Sequence, residues 1–165
     1  MKKFFIVLAA LAAMVFLQAS CKKDSEEKIT PEKEWGYMDE QSGCYQVLSF
    51  RDGVFTNGMI INDEYYKVLL ENKPGAAAKI KPGDLVGLKN SYVIYENEDG
   101  TSGSIEAKIK NPGSEETFNY TIPYTNLTMD NITLSIGGNL QNLTTLSSLG
   151  ITYGSFLDMV EYDLL

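Results

Sequence analysis

Apolar and polar residues alternate in short runs along most of the chain. In GSIEAKIK, Ile105, Ala107 and Ile109 fall on one face, and Ser104, Glu106, Lys108 and Lys110 on the other. In TFNYTI, Phe118, Tyr120 and Ile122 oppose Thr117, Asn119 and Thr121. A period of two with one polar face predicts antiparallel sheet packed on a single core. Turn residues divide the runs. Asp52-Gly53 predicts a type I′ turn that sets Phe50 opposite Phe55. Asn57-Gly58 follows too closely for a second full hairpin, so one of the two is a bulge or bend. Asp99-Gly100 separates SYVIYE from SGSIEAKI, and Pro82-Gly83 marks a corner before DLVGL. Asp130-Asn131 shifts the apolar phase as a two-residue hairpin requires, setting Met129 against Ile132 and Leu127 against Leu134.

One segment departs from this pattern. Leu140, Leu143, Leu146 and Leu149 recur at a spacing of three between Gly137-Gly138 and Gly150. That predicts one short helix near the C-terminus, capped by Asn139, with a leucine-rich loop as the rival reading. Alternation resumes in DMVEYDLL through Val160, Tyr162 and Leu164, which predicts a last strand. Roughly eight to ten short strands at 8–12-residue spacing define an all-β domain, a small antiparallel β-barrel or a sandwich.

The N-terminus has a different pattern. After Lys2 and Lys3, Phe4 to Leu17 is uncharged, and Ala19, Ser20 and Cys21 follow. A basic start, a compact apolar run too short to cross a bilayer and small residues at its end predict an export signal over residues 1–20. From Lys22 to Glu34 charges dominate and Ile29 is the lone aliphatic residue, which predicts a solvated tether over residues 21–34. Trp35 then opens a single folded domain, 35–165. A disulfide between Cys21 and Cys44 is the alternative use of the two cysteines. Cys44 is otherwise a lone thiol of the small, buried, apolar kind.

LQASC followed by KKDSEE resembles the lipobox and export signal of bacterial lipoproteins, those of Bacteroidota in particular. Gln18 stands where that motif usually carries leucine. The resemblance implies cleavage before Cys21, a diacylglyceryl thioether on its sulfur and acylation of its new amino terminus. It also implies residence in the outer membrane. Asp24, Glu26 and Glu27 match the acidic residues that direct such proteins to the cell surface, and a plain linker on a periplasm-facing lipoprotein is the rival reading. AAAKIKPGDLVGL and FNYTIPYTNLTMDNITLSI resemble the strand-turn-strand units of lipocalin-like domains in these lipoproteins, which implies a barrel with an interior pocket. An oligonucleotide-binding-type barrel is the nearest rival, through KIKPGDLVGLKNSYVIY.

Charge and composition narrow the function. The chain has 22 acidic and 14 basic side chains and no lysine- or arginine-rich cluster, a poor match to phosphate backbones, so no nucleic-acid partner is expected. It has no histidine, which removes Cys–His and Ser–His pairs. No nucleophile-elbow, Ser-x-x-Lys or phosphate-loop motif occurs. Glu96 to Thr101 fits a hairpin turn better than a calcium loop, because its glycine is misplaced and the distal Glu is missing. A protein without cofactor, metal or catalytic residue is expected. Tyrosine combines a flat apolar face with a polar tip and suits ligand contact. The strand tyrosines Tyr92, Tyr95, Tyr120 and Tyr124 are therefore the candidate ligand residues, with ordinary packing in half-buried strands as the rival reading. These readings converge on a lipid-anchored binding module for a small apolar or glycan ligand. The alternative is an accessory component of an outer-membrane or surface complex with a protein partner.

Overall fold

A computed structural model describes residues 28–110 and 116–159. The export signal, Cys21 and the strand expected through Val160, Tyr162 and Leu164 lie outside the described residues. Nine strands form one sheet: β1 (Glu34–Met38), β2 (Tyr45–Arg51), β3 (Val54–Ile60), β4 (Leu85–Glu96), β5 (Gly103–Lys110), β6 (Thr117–Thr125), β7 (Asn131–Ile136), β8 (Asn139–Thr145) and β9 (Phe156–Asp158). Each of the first eight pairs antiparallel with its chain neighbours, and β8 returns to β1 through Trp35↔Thr145 and Gly36↔Thr144. The sheet closes as an up-and-down barrel, which decides between the barrel and sandwich readings and leaves β1–β8 without free edges around the ring. β9 lies outside that ring, parallel to the start of β4, with Leu85↔Phe156 and Gly87↔Asp158.

Alternation fixes which side chains point inward. Phe50 meets Phe55 across a turn in which Asp52 and Gly53 both have positive φ, 52° and 73°, as type I′ geometry demands. Their rings stack at 4.9 Å, and Tyr92 meets Phe50 edge-on at 5.5 Å. With Trp35, Ile105, Ile122, Tyr124, Ile132, Leu134 and Leu143 they fill one half of the barrel. Ile105 and Ala107 are fully buried and Ile109 is half-buried on the same face, as the period of two predicts.

Three local expectations give way to different structure. Asn139–Thr145 is strand β8, not a helix, and Leu140 points outward at 75% exposure. The cause is Gly137-Gly138: both residues have positive φ, and they form the two-residue turn between Ile136 and Asn139. The longer helix is α1 (Asp63–Asn72), followed by the single turn α2 (Pro74–Ala77), both between β3 and β4. Asn62 caps α1 by accepting a hydrogen bond from Tyr65 N at 2.7 Å, Asp63 and Glu64 occupy its first turn, and Pro74 follows its end. The hairpin expected at Asp130-Asn131 is a longer loop. Tyr124, not Leu127, opposes Leu134, and Leu127 is buried in the core cluster with Trp35 and Ile132.

Asn57-Gly58 makes neither a hairpin nor a free bend. Gly58 pairs with Gly87 inside the β3–β4 ladder. Across the outer face of this region runs the segment after β8, where Leu146 packs with Val47, Ile60 and Leu85, and Ile151, Tyr153 and Phe156 join them. Missing Cβ atoms make room for that strap, since one on Gly36 would stand 2.5 Å from Leu146 Cδ2. Cys44 is a buried free thiol.

Candidate functional site

The two ends of the barrel differ. One is sealed from below by the segment before β1. Pro31 is buried and accepts a hydrogen bond from Trp35 Nε1 at 2.8 Å. Lys33 Nζ donates to Met129 O at 2.8 Å, and Lys28 reaches Glu96 at 3.2 Å. Residues 28–33 therefore lie against the barrel, whereas their charge predicts a tether in solvent. The Trp35 indole, the carbonyl oxygen of Met129 and the Glu96 carboxylate hold them there.

Two phenols at this end carry a pH dependence. Tyr92 donates its hydroxyl to Glu32 Oε1 at 2.8 Å, and Tyr153 donates to Glu34 Oε1 at 2.7 Å. Burial first, then the bond to the neighbouring carboxylate, push both pKa values up to about 12. In an unfolded chain a phenol titrates near ~10. The folded pKa is the higher one, so this stabilisation is complete below pH ~10 and is lost as pH rises from about 10 through 12. Thermal melts are expected to hold steady to pH ~9 and to fall steeply above about 10, with a shallower fall in Tyr92→Phe. A melting temperature unchanged up to pH ~12 would refute the assignment.

At the other end the described residues leave the barrel open. A cavity of about 240 Å³ enters the barrel there, lined by Tyr37, Gln46, Leu48, Phe55, Asn57, Ile109, Tyr120, Ile122 and Ile136. Its floor is the aromatic half of the core, so it is a cup and not a tunnel. Its walls are aliphatic, and its polar groups are two phenols and two amides. Among the described residues, no Asp, Glu, Lys or Arg lines it. Tyr120 is held from the β7–β8 turn, where Gly137 N donates to its hydroxyl oxygen at 2.7 Å, leaving the phenol proton free to donate elsewhere. Burial, and then the negative charge of Asp39, raise the Tyr37 pKa, so this phenol is neutral at physiological pH. Among the described residues, neither Tyr37 Oη nor the side-chain amides of Gln46 and Asn57 have a hydrogen-bond partner. Outside the mouth, a shallow groove shares Gln46 with the cup and runs past Asp39, Met59 of β3, and Glu64, Tyr65 and Val68 of α1.

The four tyrosines singled out from sequence do not form one site. Tyr120 lines the cup. Tyr92 and Tyr124 are buried in the closed half, where the Tyr124 hydroxyl has no partner among the described residues and burial raises its pKa. Tyr95 stands on the outer surface, 54% exposed, and donates to Glu106 at 3.3 Å. Tyr37, Gln46 and Asn57 join Tyr120 instead. Gln46 shares its face with Leu48 and Phe50, and Asn57 shares its face with Phe55 and Met59. An amide on an otherwise inward-facing apolar stripe is the signal that marks such lining residues.

Comparison of the chain with protein-family models, curated proteins and solved structures returns no match. The functional argument therefore rests on the cup itself.

Proposed function

We propose that the protein is a lipid-anchored, lipocalin-like barrel that binds one small uncharged molecule in its open half, without catalysis. The observation that carries this reading is the cup: a preformed cavity with aliphatic walls and a few convergent polar groups, the general form of a small-molecule site. Its volume equals that of roughly eight liquid waters, room for a single ring. Lipidation of Cys21 and residence on the outer face of an outer membrane belong to the same proposal. The anchor would then join the barrel at the closed end, where Lys28 bonds Glu96 at the foot of β4, and the cup would open away from the bilayer.

Ile136 is half-buried on the cup wall, near the mouth. Tryptophan there fills the cavity from a position where the barrel has room to accommodate it. Cyclohexanol, a ring with one hydroxyl, is expected to bind the wild type in ligand-detected NMR and to lose that binding in Ile136→Trp, while the melting temperature stays near the wild-type value. Equal saturation transfer to cyclohexanol in both proteins would remove the cup from the proposal.

A further inference from the structure

We infer that the ligand of the cup is a hydroxyl-bearing, uncharged ring: a single sugar unit, free or at the end of a neutral glycan. This rests on the reading of the cup as a binding site and extends it to the chemistry of the occupant.

Shape removes the elongated lipids. An acyl chain needs a channel along the barrel axis, and that path ends on Leu48, Phe55 and Ile122, beneath which Trp35, Phe50, Tyr92 and Tyr124 fill the interior. Charge removes the anions. A carboxylate or phosphate entering the cup would give up its water, meet no Lys or Arg side chain among the described lining residues and approach the negative charge of Asp39 beside Tyr37, an unfavourable exchange.

The amides remove the wholly apolar ligands. Gln46 and Asn57 each present a donor and an acceptor, and Tyr37 and Tyr120 add hydroxyls. A hydrocarbon seated among them would displace their water and return no hydrogen bond. What remains is a compact ring with hydroxyls that both donate and accept along its edge, and C–H groups on its faces. Hydroxyls match the amides and phenols. The C–H faces match the aliphatic walls of Ile109, Ile122 and Ile136 and the flat ring of Tyr120. The cup is polar on one side and apolar on the other, in the same sense as a pyranose.

The test is saturation-transfer NMR on the purified full chain with five probes offered separately. These are the methyl glycosides of glucose, galactose and N-acetylglucosamine, then cyclohexanol, then dodecanoate. At least one glycoside is expected to bind, and dodecanoate is expected not to. In Gln46→Leu the glycoside is expected to weaken by at least about tenfold, since one amide pairing is removed from a desolvated site, while cyclohexanol changes by less than about twofold. Asn57→Ala, at an exposed position, repeats the measurement with little risk to folding. Binding of cyclohexanol or dodecanoate with no glycoside bound would overturn the sugar assignment and leave the binding site standing. Failure of every probe would overturn the binding reading as well. Equal weakening of glycoside and cyclohexanol in both variants would overturn the role given to the amides.

Discussion

Gly87→Ala is expected to destabilise the barrel by about 3 kcal/mol or more, lowering its melting temperature by roughly 10–15 °C. Gly87 and Gly58 face each other where β3 and β4 approach most closely. A Cβ on Gly87 would overlap the carbonyl oxygen of Asn57 and lie 2.6 Å from Gly58 Cα. A Cβ on Gly58 would lie 2.6 Å from Val86 O. The obstacles are backbone atoms of a paired ladder, so no rotamer change relieves them, and the strands must separate where Leu85, Ile60 and Val47 pack beneath the C-terminal strap. Gly75→Ala is the control. Gly75 lies in α2 with nothing within 4 Å of an added Cβ, so the variant is expected to gain a few tenths of a kcal/mol, up to ~1, from the lower entropy of the unfolded chain. Thermal melts of the two variants side by side measure both signs, and similar melting temperatures for the two would contradict the close approach.

Cys21→Ser is expected to move the protein from the membrane fraction to the soluble fraction. Serine cannot form the thioether, and once residues 1–20 are removed the acidic chain has no long-range attraction to an anionic bilayer. Each buried methylene contributes about 0.8 kcal/mol, so one chain holds a protein marginally and several hold it effectively for good. The transition is therefore all or none, and cell fractionation followed by mass determination of the mature N-terminus reads it directly. Retention in the membrane fraction of a serine variant whose mass shows residues 1–20 removed would defeat the lipoprotein proposal.

The fold class was legible because period-two alternation is a local property. Ile105, Ala107 and Ile109, and Phe50 opposite Phe55 across Asp52-Gly53, follow from residues adjacent in sequence. Closure was not legible, since β1 meets β8 through residues more than a hundred positions apart. Local signals also competed. Gly137-Gly138 looked like the edge of a helix because the leucines after it recur every three residues, but two left-handed glycines in succession make a hairpin. α1 was hidden by Tyr65, Tyr66 and Val68, which suit a strand by propensity and were overridden by the Asn62 cap and the acidic first turn. The site divided in the same way. Tyrosine content pointed to Tyr120 and equally to Tyr92, Tyr95 and Tyr124, since residue type does not reveal which end of a barrel a side chain occupies. Gln46 and Asn57 carry the sharper signal, an amide among inward-facing apolar residues, and it can be read only once the strand register is known.

The most direct test of the cup is a titration of the ¹⁵N-labelled full chain with cyclohexanol, followed at the side-chain amide resonances. The Gln46 and Asn57 NH₂ signals and the Gly137 backbone N–H that holds Tyr120 are predicted to shift together with one saturating affinity, while the Trp35 indole N–H in the sealed half stays fixed. Shifts confined to the closed end, or none at Gln46 and Asn57, would contradict the assignment of the open half as a binding site.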